Sequence, residues 1–477
     1  MRTKKKNIIL PDVLVENYAA EGKSLARVDG KVVFIENTIP GDVVDVQLTK
    51  NKKDWAEGWP VKFKQHSPDR VTPFCQHFGV CGGCQWQSLP YAKQLEFKQK
   101  QVIDNLQRIG KLQLPEITPI VGCTETRHYR NKLEYTFSTK RFVPAEEFKQ
   151  IKEREAKGEV VHQPAGVAGF HAKGMFDKIV EIDTCHLQHE PTNEIRKYVA
   201  AFGLEHDIPF YDIREHRGWL RIMQVRLAAT GELMVNVVFG YEDEKMRKIL
   251  LDGLLKQFPQ ITTLLYTINT KKNDSLYDQD PKVYFGKGYI IEKLEDYQFK
   301  ISPKSFFQTN TKQGERLYQI TREFAELDGS QVVYDLYCGT GSIGIFVSNL
   351  AKQIIGVEVV KEAIDDAKEN ALLNNISHAS FYAGDVIDIC DDAFFAAHGR
   401  PDVIITDPPR AGMHEKLVNK LLEIEAPLIV YVSCNPATQA RDLALLEEKY
   451  TVTKVQPVDM FPHTLHIENV VQLKRKF

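Results

Sequence analysis

Cys434 stands in Tyr431-Val-Ser-Cys-Asn-Pro436, and a carboxylate, Glu468, follows 34 residues later in Asp459-Met-Phe-Pro-His-Thr-Leu-His-Ile-Glu468. A thiolate is a nucleophile, and a carboxylate brought beside it can move a proton. Residues Pro427 to Val432 are apolar without alternation, the pattern of a strand buried on both faces. Asn435-Pro436 ends that strand. The thiol is therefore expected at a strand's carboxyl end, where open α/β sheets place their chemistry. A lone cysteine is more often structural than catalytic, so the surrounding residues decide its meaning.

Upstream, Gln331 to Asp335 reads as a strand and leads into Leu336-Tyr-Cys-Gly-Thr-Gly-Ser-Ile-Gly344. Gly339 and Gly341 let the backbone turn tightly against a ligand, and the helix that follows opens its N-terminus towards it. Ile354 to Glu358 is a second strand with an acid at its tip, placed to hold the hydroxyls of a ribose. The loop lacks the third glycine of the dinucleotide fingerprint. Asp385 follows a third short strand in Ala383-Gly-Asp385. Val403 to Thr406 is a fourth, ending in Asp407-Pro-Pro-Arg410.

At these positions the chain resembles the RNA uracil-C5 methyltransferases that use S-adenosylmethionine. The matching stretches are Ser305-Phe-Phe-Gln-Thr-Asn310, Asp335 to Gly341, Asp407 to Arg410, Ser433 to Pro436, Asp459 to Thr464 and His466-Ile-Glu468, in the family's order. The resemblance implies that Cys434 adds to C6 of uracil, making C5 nucleophilic, and that Glu468 removes the C5 proton after methyl transfer. It assigns Gln308, Tyr337, Glu358, Asp385 and Asp407 to the cofactor. Asp407 and Arg410 are also candidates for binding the uracil edge and the developing enolate charge. Ser342 stands where relatives often carry Asn, which leaves that contact in doubt. A free thiol ionises near pH ~8.5, so the site is expected to favour the thiolate.

The elements that must position these groups exceed one ordinary domain, since 477 residues predict roughly three at about 100–200 each. No apolar run of about 18 residues occurs, which argues against a membrane span. The start, Met1-Arg-Thr-Lys-Lys-Lys6, leads into too short an apolar stretch for a signal peptide, so a cytoplasmic location is expected. It reads equally as an RNA-facing arm or a solvated end. Residues 1–110 carry 17 Lys+Arg against 12 Asp+Glu, whereas residues 330–477 carry 13 against 20, which makes the front the better phosphate-binding surface.

Within that front, short alternating runs at Val13–Asn17, Ser24–Val28, Lys31–Glu36, Asp42–Leu48 and Trp55–Phe63, broken at Asp29-Gly30 and Pro40-Gly41, predict an OB-like barrel. The run from Glu21 through Asp29-Gly-Lys-Val-Val-Phe-Ile35 to Ile39-Pro-Gly-Asp42 resembles the TRAM module of RNA-modifying enzymes. Lys50, Lys52, Lys53, Lys62 and Lys64 would supply phosphate contacts. A purely structural barrel is the alternative.

Cys75, Cys81 and Cys84 follow with spacing C-x5-C-G-G-C. A cytosolic setting disfavours disulfides. Three thiolates need a fourth ligand, and the spacing alone suits zinc or iron–sulfur equally. The resemblance favours a 4Fe–4S cluster with Cys185 as fourth ligand, in a structural or RNA-orienting role.

Between cluster and catalytic motifs, Gln85 to about Arg108 reads as a helix, and several alternating strands follow. Tyr129, Arg130, Lys132, Trp219 and Arg221 could stack on or pair with unstacked RNA, although half-buried strands explain most of them equally well. Arg141 to Gln163 reads as a polar protrusion. The expected architecture is α/β: a TRAM/OB-like barrel over 1–66, a β-rich central domain with the iron–sulfur site over 67–300, whose helix around 88–110 packs on the catalytic domain, and a Rossmann-like methyltransferase domain over 301–477. The expected partner is RNA, 23S rRNA in particular, since simpler tRNA enzymes of the family lack both barrel and cluster; a monomer without membrane association is expected. The alternatives are the same chemistry on tRNA, an amino-methyltransferase, which needs no cysteine nucleophile, and a non-catalytic RNA-binding protein, which would not need Cys434 and Glu468.

Overall fold

The computed structural model describes residues 8–19, 22–161 and 164–476. The basic start, Glu21 of the barrel motif and Gln163 lie outside them.

The N-terminal sheet has six strands in the order Ile9–Leu14, Val43–Asn51, Trp55–Gln65, Lys31–Ile35, Ser24–Val28, Asn17–Tyr18. The first and last of these are one continuous stretch of chain, so the sheet closes on itself around Val13, Val15, Ala26, Val33, Ile35, Val44, Val46 and Ala56. The opening strand thus begins earlier than expected and is interrupted before Asn17, because that segment bridges both ends of the barrel. Asp29 and Gly30 both take positive φ, 51° and 78°, as the hairpin they form requires.

A seven-stranded sheet forms the middle of the chain, in the order Lys282–Phe285, Ile261–Ile268, Leu233–Phe239, Leu220–Leu227, Lys132–Ser138, Val167–His171, Ile179–Glu181. Helices Thr192–Glu205 and Glu244–Gln257 contribute Ile195, Val199, Leu250, Leu251 and Leu254 to its core. The polar stretch after Arg141 contains helix Ala145–Ala156, which buries none of its residues.

The catalytic sheet is built from β1 (Val332–Leu336), β2 (Gln353–Glu358), β3 (Ala379–Ala383), β4 (Val403–Thr406), β5 (Leu428–Ser433), β6 (Tyr450–Val458) and β7 (Glu468–Arg475), in the order β3-β2-β1-β4-β5-β7-β6. β1 to β5 are parallel, and β7 is antiparallel to both of its neighbours. Apolar residues cover both faces, which is why β5 reads as a continuous apolar run.

Helix Tyr91–Arg108 buries Val102 and Leu106 in the core of this sheet, together with Tyr431 and Ala440. It begins at Pro90, later than the sequence suggested, because Gln85 and Trp86 instead donate their backbone N–H groups to His463. Lys98 of this helix forms a wholly buried ion pair with Asp459 at 2.7 Å. Among the described residues no helix is long and apolar enough to cross a membrane.

Candidate active site

The carboxyl ends of the parallel strands meet at one edge of the sheet. β4 delivers Asp407 there and β5 delivers Cys434. β7 starts at the same edge because it runs the opposite way. Ser433 lies opposite Asn469 in the β5–β7 ladder, and one further step in that register sets Cys434 opposite Glu468. Directly opposed residues in an antiparallel pair have Cβ atoms roughly 4.5–5.5 Å apart. Two residues distant in sequence become cross-strand neighbours in this way.

Glu468 is buried, and Cys434 is partly open to solvent. Burial, with the Glu468 and Asp407 carboxylates adding to it, pushes the Cys434 thiol up to about 12 against the opposing pull of Arg410. Burial and the two carboxylates thus work against the thiolate that the sequence led us to expect, and Arg410 works for it. Burial also pushes Asp407 to about 7. Glu468 is raised well above the usual carboxylate range by burial and by the Asp407 charge. Arg410 reaches His466 Nδ1, and its carbonyl accepts hydrogen bonds from Asn435 Nδ2 at 3.0 Å and Thr438 Oγ1 at 3.2 Å, tying together the loops after β4 and β5. Burial and then the Arg410 charge lower His466 to about 4, so it faces the guanidinium as a neutral acceptor.

The glycine loop after β1 lines the neighbouring stretch of the edge. Tyr337, Gly339 and Gly341 have φ of 59°, 54° and 75°. A Cβ on Gly341 would lie 2.9 Å from Phe381, so this turn needs glycine for space as well as for conformation. Gly339 N–H donates to Glu358 at 3.3 Å, which fixes the loop to the acid at the tip of β2. Asp385 caps the next helical turn by accepting from Ile387 N–H at 2.9 Å. Gln308 is buried just before the N-cap of helix Thr311–Ala325. From that helix Tyr318 bonds Ser342 at 2.9 Å, a partner for the serine that breaks the family pattern.

Asp335, quoted in the motif but given no role from sequence, accepts from Gly344 N–H at 2.8 Å. Burial, with the Asp407 and Glu358 charges adding to it, lifts it to about 7. A single acid inside an apolar strand was the available signal. Among the described residues Asp335, Asp407 and Glu468 form no ion pair. Arg410 opposes the rise of Glu468 without forming an ion pair with it, and buried carboxylates that lack an ion-pair partner suit a ligand that brings a positive charge.

A second constellation lies outside the sheet edge. Cys75, Cys81, Cys84 and Cys185 line one cavity of about 390 Å³, together with Arg130 and Lys132. No group of three or more His, Cys, Asp or Glu among the described residues is arranged to hold a single metal ion. Burial raises Cys84 to about 11 and Cys185 to about 12.

Two of the candidate RNA contacts are structural. Trp219 is 1% exposed and stacks on Phe239 at 4.1 Å. Arg221, equally buried, donates to the carbonyls of Asn269, Lys271 and Asn273 and pairs with Asp274. Arg221 sits on the central strand Leu220–Leu227 and Trp219 immediately precedes it, in a sheet whose two faces are covered, which alternation alone did not reveal. Tyr129 is buried and donates to Pro462 O at 3.0 Å. Arg130 lies over Phe461 at 5.1 Å.

Comparison with known proteins shows the family. The family model described as tRNA (uracil-5-)-methyltransferase matches residues 276–385 and 395–476, and the TRAM domain model matches residues 11–61. An RNA methyltransferase of Bacteroides thetaiotaomicron is 53% identical over 96% of this chain and 99% of its own length. One from Porphyromonas gingivalis is 49% identical over 97% and 99%. Among solved structures, the Pyrococcus abyssi tRNA (uracil-54, C5)-methyltransferase in complex with S-adenosyl-L-homocysteine aligns with a TM-score of 0.73 at 27% identity, covering 97% of this chain and all of that one.

Proposed function

This chain belongs to the RNA (uracil-5-)-methyltransferase family and carries its TRAM domain, and on that premise we propose that it methylates C5 of a uracil in 23S rRNA through a covalent Cys434–C6 adduct resolved by Glu468. The observation that carries the reading is the β5–β7 register, which starts β7 with Glu468 at the sheet edge where Cys434 follows β5, near enough for the Glu468 charge to act on the thiol.

S-adenosylmethionine supplies the methyl group as a sulfonium, whose positive charge suits carboxylates that have no ion-pair partner. Cys434 adds to C6, and the electron pair of the C5–C6 double bond moves towards the O4 carbonyl, leaving C5 able to attack. Arg410, steadied by His466, faces the charge that develops on the ring. After transfer C5 bears both a methyl group and a proton. Glu468 takes the proton, the double bond re-forms, and the Cys434–C6 bond breaks. Cys434, partly open to solvent, must first lose its proton to water, and a cation bound beside Asp407 lowers the cost of doing so.

Gln308, Tyr337, Glu358, Asp385 and Asp407 form the proposed cofactor site. Burial pushes Asp407 up to about 7, and only its ionised form attracts a cation. Affinity for S-adenosylmethionine should therefore rise by about tenfold between pH 6 and pH 8 and level off above. Calorimetric titration across that range checks this; a flat profile would remove Asp407 from the cofactor site.

Cys75, Cys81, Cys84 and Cys185, which line one cavity, would hold a 4Fe–4S cluster. Its role here is structural. Anaerobically purified protein should contain about four irons per chain; one stoichiometric zinc and no colour would disprove the assignment. Barrel and cysteine site together favour ribosomal RNA as substrate. The likeness to a tRNA enzyme of Pyrococcus abyssi supports a second reading, the same chemistry on tRNA. Mapping 5-methyluridine in both RNA pools of a strain lacking this chain separates them: loss from 23S rRNA supports the first, loss from tRNA alone the second.

A further inference from the structure

His463 joins the cysteine-bearing loop to the loop that ends in Glu468. It has φ 65°, a conformation that costs a non-glycine residue energy and persists only where neighbours enforce it. Its carbonyl accepts two hydrogen bonds, from Gln85 N–H at 2.9 Å and Trp86 N–H at 3.1 Å, immediately after Cys84. Its own N–H donates to Gln94 Oε1 at 2.9 Å, and its Nδ1 faces Gln94 Nε2 at 3.1 Å. Gln94 is fully buried, and the two hydrogens of its Nε2 are shared among the His463 ring and the Trp86 and Leu89 carbonyls, which lie at 3.0 and 2.8 Å. Phe74, immediately before Cys75, packs edge-on against the His463 ring at 5.0 Å. Beyond His463 the chain has only four residues before Glu468, and one of them is His466, the partner of Arg410.

We infer that His463 is a positioning residue, the clasp through which the cysteine-bearing loop holds Glu468 in register with Cys434. The inference rests on the reading of Glu468 as the base. The clasp works through the ring acceptor and the backbone conformation together, so a change in the loop around Cys84 is transmitted to the proton-removal step.

Two variants separate these contributions. His463→Gly accepts the positive φ without strain but removes the ring; His463→Asn tolerates the same conformation, and its amide oxygen can replace Nδ1 as acceptor from Gln94. Both are assayed with bulk RNA from a strain lacking this chain and methyl-labelled S-adenosylmethionine, with Glu468→Gln as control. In His463→Gly, kcat should fall about tenfold or more with little change in KM for either substrate, and a methyl-labelled covalent protein–RNA complex should accumulate. Backbone amides of residues 461–468 should exchange hydrogen faster, while those of β5 do not. His463→Asn should recover most of the rate. Equal loss in both variants overturns the clasp, as does normal turnover and exchange in His463→Gly while Glu468→Gln traps RNA. If Glu468→Gln itself turns over normally, the base assignment fails, and hydrogen exchange alone decides the clasp: faster exchange over 461–468 supports it and unchanged exchange overturns it.

Discussion

Glu468→Gln should yield a protein that methylates one uracil and then stays attached to the RNA. Gln keeps the shape of the side chain but cannot accept the C5 proton, so the Cys434–C6 bond has no route to break. The methyl-labelled complex should survive denaturation, and turnover should fall by about 10²–10⁴-fold, the usual contribution of a general base. Cys434→Ala should show the opposite pattern. Without the thiol no adduct forms, no label is transferred, and turnover should drop by at least about 10⁴-fold, because C5 never becomes nucleophilic. The contrast is sharper than either loss alone, since one residue begins the covalent intermediate and the other ends it. Denaturing gels of protein incubated with RNA and labelled S-adenosylmethionine read both variants at once. Normal turnover by Glu468→Gln, or trapped RNA with Cys434→Ala, would reverse the assignment.

Lys98→Met should cost about 3–5 kcal/mol of stability. Lys98 and Asp459 are both fully buried, and their ion pair at 2.7 Å spans helix Tyr91–Arg108 and the segment that follows β6. Asp459 also accepts from Tyr91 OH at 2.7 Å and Phe461 N–H at 3.1 Å. Removing the ammonium leaves a buried carboxylate with neutral donors only, whereas the ion pair itself contributes little net stability over an apolar replacement. Adding Asp459→Asn to Lys98→Met should therefore recover much of the loss. Urea unfolding of the three proteins measures this. A single variant as stable as the native chain, or a double variant less stable than the single one, would show that the pair is not what anchors the helix to the catalytic loop.

Local sequence determined the elements of this protein and the chemistry of their ends. Pro427 to Val432 is apolar at every position and becomes β5 because a strand covered on both faces needs no polar alternation. Asp29-Gly30 turns because both residues tolerate positive φ. Cys434, Asp407, Glu358 and Asp385 lie at or just beyond strand ends because each follows its strand directly in sequence. Pairing over long separations was decided by the tertiary structure alone. The opposition of Cys434 and Glu468 depends on β7 inserting antiparallel between β5 and β6, a choice made by the whole sheet. The rise of the Cys434 thiol to about 12 depends on burial and on carboxylates brought from other strands. Trp219 and Arg221 carry the residue types of an RNA surface, yet a sheet covered on both faces encloses them. Lys98 resembles any lysine on a helix until Asp459, 361 residues away, is folded against it. Composition and periodicity report what each segment can become, whereas burial and charge compensation belong to surfaces that exist only once the segments meet.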